Sequence, residues 1–161
     1  QKANTPNHNK RIYPLEILRR EDQKYQELVK ERRALGELDH PDQSVVELSN
    51  VSHVITKTWW DGVTLLGEIE VLDTPKGKIL EKLIKRNIKL GISSRGLGST
   101  EPGSGGYDVV QEDFGLICYD LVSSPSTSNA FMNLKESIEY KLLGSNKNIL
   151  LDEILNEILI L

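Results

Sequence analysis

The chain has 161 residues, of which 38% are hydrophobic and 27% charged, and its formal net charge is −4. This length and composition are typical of one globular domain with its own core, and the acidic balance disfavours nucleic acid as a partner. No apolar run approaches the roughly 20 residues that span a bilayer. The polar residues 1–10 carry no signal-peptide pattern, so no membrane partner is predicted.

Cysteine and histidine usage argues against a disulfide, a metal centre or a cofactor. The single cysteine, Cys118, has no internal partner, which favours a reducing compartment such as a cytoplasm. The three histidines, His8, His40 and His53, lie in no zinc-binding spacing, and no phosphate-binding glycine motif is present. The sequence therefore predicts neither a metal site nor a nucleotide cofactor.

The first part of the chain is predicted to form a lead-in segment, one helix and a turn. Residues 1–13 are polar and turn-rich, as in a lead-in or binding loop. The spacing of apolar residues predicts a helix over 14–35 that begins near Pro14 and is capped by Gly36. Residues 36–42 read GELDHPD and predict a turn, because Gly, Pro and Asp cluster there.

The middle of the chain is predicted to be rich in strands. The Asp61-Gly62 pair is the strongest hairpin signal, and residues 78–87 predict a short amphipathic helix with a basic face. Residues 97–106 are rich in Gly and Ser and predict a flexible loop. Strand-like runs occur at 45–48, 51–60, 63–72, 88–94, 107–110 and 114–123.

The segment 134–161 is predicted to be a helical tail with a wide apolar face. Such a face needs cover from the rest of the fold or from a second subunit. The predicted fold is therefore one α+β domain over 1–161, a mainly antiparallel, partly closed β-barrel flanked by helices. The apolar face of the tail is formed by Ile149, Leu150, Ile154, Leu155, Ile158 and Leu159.

Candidate residues for serine hydrolysis occur at turn and strand positions. The chemistry needs a hydroxyl, an imidazole that takes its proton and a group that orients the imidazole. His40 lies in an accessible turn beside Pro41, where a plain surface histidine is the alternative. Ser93 and Ser94 end an apolar strand before a glycine-rich loop. Asp120 lies in the apolar run LICYDLV, where it needs either a histidine or backbone amides as partner.

Four other residues are less favourable candidates. Cys118 lies mid-strand among large apolar residues, where a thiol is usually inert. His53 lies in a strand-like run and is interpreted as a packed or cross-strand histidine. Trp59 and Trp60 point to opposite faces of a strand, so we expect one of them in the core.

Four segments together resemble the prohead core proteases of T-even-type tailed phages, over about residues 7 to 131. The family is related in fold to the herpesvirus assemblins. GELDHP followed by a strand ending in SSRG is a specific pair, although either motif alone is weak. The segments are NHNKRIYP (7–14), GELDHP (36–41), LGISSRGLG (90–98) and DLVSSPS (120–126).

The resemblance implies a serine endopeptidase with a herpesvirus-protease-like fold. Its expected substrates are scaffold and capsid proteins inside the immature phage head, in the host cytoplasm. The GELDHP match assigns the general base to His40. The family's Ser-x-Gly pattern matches Ser94 and Gly96, which makes Ser94 the predicted nucleophile and leaves a one-residue slip to Ser93 open.

The last strand of the family fold supplies the third catalytic residue, and Asp120 is the acid of that run. Arg95 and Gly96 are expected to contact substrate or its oxyanion, with the 123–128 loop as another supplier of amides. Other acids remain competitors for the third position, namely Asp39, Asp42 and Asp113.

The resemblance also implies cleavage after glutamate, before a small residue. Glu136-Ser137 fits this pattern and is a predicted self-cleavage site, although such a tetrapeptide also arises by chance. The assemblin relationship favours a homodimer. The alternative function is a non-catalytic scaffold- or capsid-associated module of the same fold.

Overall fold

The computed structural model describes residues 1–41, 43–134 and 158–160. Neither helix within these ranges is long and apolar enough to cross a membrane. The helices are α1 (Leu15–Lys30) and α2 (Pro75–Lys85). The strands are β1 (Arg11–Ile12), β2 (Leu35–Glu37), β3 (Val51–Asp61), β4 (Thr64–Val71), β5 (Gly91–Leu97), β6 (Thr100–Pro102), β7 (Asp108–Val110), β8 (Gly115–Val122), β9 (Met132–Leu134) and β10 (Ile158–Ile160).

The described strands form three hydrogen-bonded sheets. The largest has the order β2-β3-β4-β10-β9, the second pairs β5 with β8, and the third has the order β1-β7-β6. All pairs are antiparallel except β1 with β7. Single bridges, Leu38 to Leu121 and Gly91 to Phe131, join the β5–β8 pair to both edges of the largest sheet.

The predicted α+β class with mainly antiparallel strands is therefore confirmed. The ladders of the described residues are three separate sheets, and only the two single bridges link the β5–β8 pair to the largest sheet. The partly closed barrel and the likeness to herpesvirus proteases stay predictions.

The β3–β4 hairpin forms where the Asp61-Gly62 signal predicts it. Gly62 has a φ of 59°, in the left-handed region that glycine adopts without a Cβ penalty. Alternate residues of β4 are buried, as expected for a strand with one face on a core. That core also takes Tyr25 from α1 and Leu80 from α2.

The first helix is shorter than its apolar spacing predicts, and the prediction that Gly36 caps it is wrong. The chain leaves the helix after Lys30 and reverses at Arg32, whose φ is 54°. The following residues pair with β3 as β2. Gly36 is needed for packing, because a Cβ there would collide with the His53 ring and the Tyr119 carbonyl. Tertiary pairing thus overrides local helical spacing.

Two further predicted boundaries are wrong. Residues 45–48 form no strand, and Val45 and Leu48 are 64% and 74% exposed, so the run has no face to bury. The second helix begins earlier than predicted, because the Thr74 side chain accepts a hydrogen bond from the Gly77 N–H (2.9 Å) and Pro75 suits the first turn.

The predicted loop and tail also differ from the structure. Residues 97–106 contain β6 and a 3-10 turn, Ser104–Gly106. Ile158–Ile160 pairs as strand β10 between β4 and β9, so the helix prediction is wrong there, and β-branched residues favour that pairing. The rest of the tail beyond residue 134 lies outside the described residues, as do Glu136 and Ser137.

Candidate active site

His40 is presented by a turn directly after β2. Asp39 has a φ of 75°, a left-handed conformation that Asp tolerates better than most residues. Its N–H donates to the Leu121 carbonyl (2.8 Å), and its Oδ1 accepts from the His40 N–H (3.1 Å). Asp39 therefore shapes the turn that holds His40 against β8.

Asp120 is fully buried on β8 and contacts the His40 ring. Its Oδ2 lies 3.0 Å from His40 Nδ1 and 2.9 Å from Arg95 Nε. Its Oδ1 accepts from the Glu37 backbone N–H (3.0 Å) and the Cys118 thiol (3.2 Å). The sequence left a histidine or a backbone amide as partner for this acid, and the structure provides both.

Asp120 is held as a carboxylate by these partners. Burial alone raises the pKa of the carboxyl group. Hydrogen bonds from His40, Glu37 and Cys118, together with the Arg95 charge, outweigh burial and lower that pKa. A carboxylate only accepts hydrogen bonds, so this contact suits the His40 tautomer with its proton on Nδ1, in which Nε2 is free to accept one.

The competing acids have other roles. Asp113 accepts hydrogen bonds from the Ser99 N–H (2.9 Å) and hydroxyl (2.9 Å). Asp39 shapes the turn, and Asp42 lies outside the described residues. Among the described carboxylates, Asp120 is the one that reaches the His40 ring.

Strand register distinguishes the two candidate serines. On β5, Ser93 pairs with Asp120, whereas Ser94 pairs with Tyr119. Cross-strand partners present their side chains on the same face of a sheet. Ser93 therefore shares the face of Asp120, and Ser94 shares the face of Tyr119, which packs in the main core. The register favours the one-residue slip to Ser93.

An open groove of about 270 Å³ lies beside His40, Ser93 and Ser94. Its other walls include His8 and Arg11 from the lead-in segment, and residues 124–126 after β8. Among the described residues, no Asp or Glu lines it, although the whole chain is acidic. The described side chains that line the groove are therefore neutral or basic.

The lead-in segment is fixed against the loop after β8. The Asn7 side chain accepts from the Arg11 N–H (2.9 Å), which closes a tight turn. The His8 N–H donates to the Ser126 carbonyl (2.8 Å), and the His8 ring lies 3.0 Å from the Ser128 hydroxyl. The lead-in thus forms a wall of the groove, as the binding-loop interpretation expects.

The Arg95 side chain and the absence of a Cβ at Gly96 have structural roles, while contact of these two residues with substrate or its oxyanion stays a prediction. The Arg95 side chain is only 6% exposed and is paired with Glu37 and Asp120. Gly96 is required by packing, because the Phe114 ring occupies the place of a Cβ. Sequence reasoning missed Glu37. The signal that could have found it is an acid at the otherwise apolar strand end of GELDHP.

His53 and Cys118 are structural, as predicted. His53 is fully buried, with Nδ1 2.9 Å from the Ser52 hydroxyl and Nε2 3.0 Å from the Tyr119 carbonyl. Burial lowers the pKa of His53 to about 4, so it is neutral. Burial, and next the Asp120 charge, raise the pKa of the Cys118 thiol, which keeps it protonated and inert.

An imidazole held by a buried carboxylate beside a serine-bearing strand is an arrangement of the serine hydrolases. A family model described as "Prohead core protein serine protease" matches residues 1–141. The chain belongs to this family.

Two relatives from phage T4 support this membership. The prohead core protein protease of Enterobacteria phage T4 is 37% identical over 141 residues, which cover 85% of this chain and 66% of that protein. The solved structure of the bacteriophage T4 capsid assembly protease, gp21, matches with a TM-score of 0.73 and 34% identity. That match covers 78% of this chain and 79% of the other. The chain thus spans slightly less than two thirds of the full-length relative.

Proposed function

We propose that the protein is a serine endopeptidase of prohead maturation, with Ser93 as nucleophile, His40 as general base and Asp120 as the orienting acid. The observation that carries the proposal is the 3.0 Å contact between His40 Nδ1 and Asp120 Oδ2, on the strand face that also carries Ser93. Membership of a protease family supports the reaction type.

The proposed reaction follows from the two nitrogens of His40. Nε2 takes the Ser93 hydroxyl proton as the oxygen attacks the scissile carbonyl, and Asp120 stabilises the imidazolium. His40 then gives the proton to the leaving amine, and water hydrolyses the acyl-enzyme by the same route. Backbone N–H groups that border the groove in β5 and in 124–126 are the proposed oxyanion donors.

The proposed substrates are scaffold and capsid proteins inside the prohead, in the host cytoplasm. The T4 relative's description as a capsid assembly protease supports this setting. We further propose cleavage after glutamate, because Arg11 and His8 border the groove and none of its described lining residues is an acid. Self-cleavage at Glu136-Ser137 and a homodimer stay predictions from the sequence, since Glu136, Ser137 and most of the apolar face of the tail lie outside the described ranges.

Covalent labelling with a fluorophosphonate probe tests the nucleophile. The wild-type chain should be labelled at Ser93, as located by peptide mass spectrometry, and Ser93→Ala should abolish labelling. Ser94→Ala is the matched control, because it removes the neighbouring hydroxyl from the opposite strand face, and it should stay labelled.

The opposite pattern would assign the nucleophile to Ser94, as the family pattern predicts. A folded wild-type chain that is never labelled would favour the non-catalytic scaffold- or capsid-associated module.

A further inference from the structure

Arg95 is a buried cation that contacts two carboxylates at once. Its Nη2 pairs with Glu37, which is fully buried. Its Nε lies 2.9 Å from Asp120 Oδ2, the oxygen that His40 also contacts. Because charges interact strongly where water is excluded, Arg95 acts on the His40–Asp120 pair as well as on Glu37.

The Arg95–Glu37 pair also holds the chain on the far side of the His40 turn. Arg95 Nη1 donates to the Gln43 carbonyl (2.8 Å). Glu37 Oε1 accepts from the Glu47 N–H (2.6 Å), and Glu37 itself ends β2 just before the turn. One ion pair therefore fixes both ends of the segment that carries His40.

We propose that Arg95 and Glu37 are positioning residues that lock the His40 turn onto β8 and limit the uptake of a proton by His40. This inference rests on the function proposed above. A buried ion pair by itself is weak evidence for stability. The Arg95–Glu37 pair contacts both Asp120 and the segment that carries His40, and this gives the pair a role in the site.

The electrostatic part of the proposal has a defined sign. Asp120 favours a positive imidazole, whereas Arg95 shares the same carboxylate oxygen and opposes a second positive charge there. Removing the guanidinium charge should let His40 take up a proton at higher pH, so less of it is available as a base. The titratable and charged groups near His40 come from each element packed around it. They are Asp120 and Cys118 (β8), Arg95 (β5), Glu37 (β2), Asp39 (the turn), the neutral His53 (β3), and His8 and Arg11 (the groove wall).

Two substitutions at Arg95 separate its charge from its shape. Arg95→Gln removes the charge, whereas Arg95→Lys keeps it but cannot span Glu37, Asp120 and the Gln43 carbonyl together. Arg95→Gln should raise the midpoint of the His40 NMR titration by about one pH unit and lower kcat roughly a hundredfold with little change in KM. Arg95→Lys should keep the midpoint and lower kcat less.

A second variant guards against misfolding. In Glu37→Leu/Arg95→Met an apolar pair replaces the ion pair, an exchange that often preserves or improves stability. This variant should still lose about a hundredfold in kcat, because the His40 turn is no longer held.

Arg20→Gln is the matched control. Arg20 also joins a buried carboxylate, Glu21 (2.9 Å), to a carbonyl, that of Phe114 (2.8 Å), but it lies on α1. Its loss should lower Tm while leaving the His40 titration and kcat unchanged.

The proposal is overturned if the double variant or Arg95→Gln keeps both the wild-type kcat and the wild-type midpoint of the His40 titration. The Arg95–Glu37 pair is then purely structural. The NMR midpoint needs no turnover. A chain that cleaves nothing and takes no serine probe therefore refutes the proposed function, while the midpoint still tests the role of Arg95.

Discussion

Asp120 and Asp22 are both buried carboxylates with good hydrogen-bond donors, yet their surroundings differ. Asp22, on α1, accepts from the Thr58 hydroxyl (2.7 Å) and the Trp60 indole N–H (2.9 Å), which fastens the helix to β3. Asp120 accepts from His40, whose side chain is 39% exposed and borders a groove.

The difference lies in the donors. The hydroxyl and indole beside Asp22 carry no titrating proton at neutral pH, so that cluster can only hold the helix in place. The imidazole beside Asp120 contacts the carboxylate through Nδ1, which leaves Nε2 for another partner. Burial of an acid does not mark an active site. A buried acid whose histidine partner borders a groove marks a candidate active site.

The largest expected loss of kcat is at Ser93 and His40, the two proposed partners of Asp120. Ser93→Ala and His40→Ala should each lower kcat by several orders of magnitude, about 10⁶-fold in a comparable triad. The double variant should be hardly worse, because the two residues act as one unit. Peptide cleavage rates of the three variants provide the measurement, and losses that multiply would contradict the pairing.

The next effect compares the two acids directly. Asp120→Asn should lower kcat about 10⁴-fold, because an amide can hold the wrong imidazole tautomer. Asp22→Asn should lower the free energy of unfolding by about 1–3 kcal/mol and leave the rate per folded molecule unchanged. Melting temperature and turnover are measured on one sample of each variant.

Equal losses of turnover in both variants would remove the distinction between the two regions. A stability loss alone at Asp120 would make that acid structural and leave the third catalytic position unassigned.

The last effect is on stability and not on turnover, and it concerns the buried imidazole of His53. Its pKa in the folded protein is about 4, below the unfolded value near 6.5, so the unfolded chain binds the extra proton. Stability should therefore fall by about 3 kcal/mol as pH drops from about 6.5 to 4. Urea unfolding at several pH values measures this slope.

His53→Gln is the control, and it should flatten the slope in that window. Asp120 affects stability in a lower pH range, because its pKa is depressed in the folded protein. Its contribution to stability is lost only as pH falls below the unfolded pKa near 3.9. A slope unchanged in His53→Gln would mean that another group takes up the proton.

Features that depend on neighbouring residues were predictable from the sequence. Asp61-Gly62 specifies the hairpin because its left-handed turn is a local preference. The order and chemistry of GELDHP, SSRG and the acid of LICYDLV predicted His40 and Asp120 as partners but left other acids in competition with Asp120. Motif order also indicated the family, which the match over residues 1–141 confirms.

Features that depend on distant pairing were not predictable. Leu35 keeps the helical apolar spacing and residues 36–37 belong to the predicted turn, and only their ladder with β3 makes all three a strand. Adjacent serines on a strand must face opposite ways, but which of them shares a face with Asp120 is set by the register with β8. The ion pair between Glu37 and Arg95 was not predictable either, because only the fold brings β2 and β5 together. Composition and motif order by themselves determined the class of chemistry, while non-local strand pairing alone determined which hydroxyl, carboxylate and cation share one face of the site.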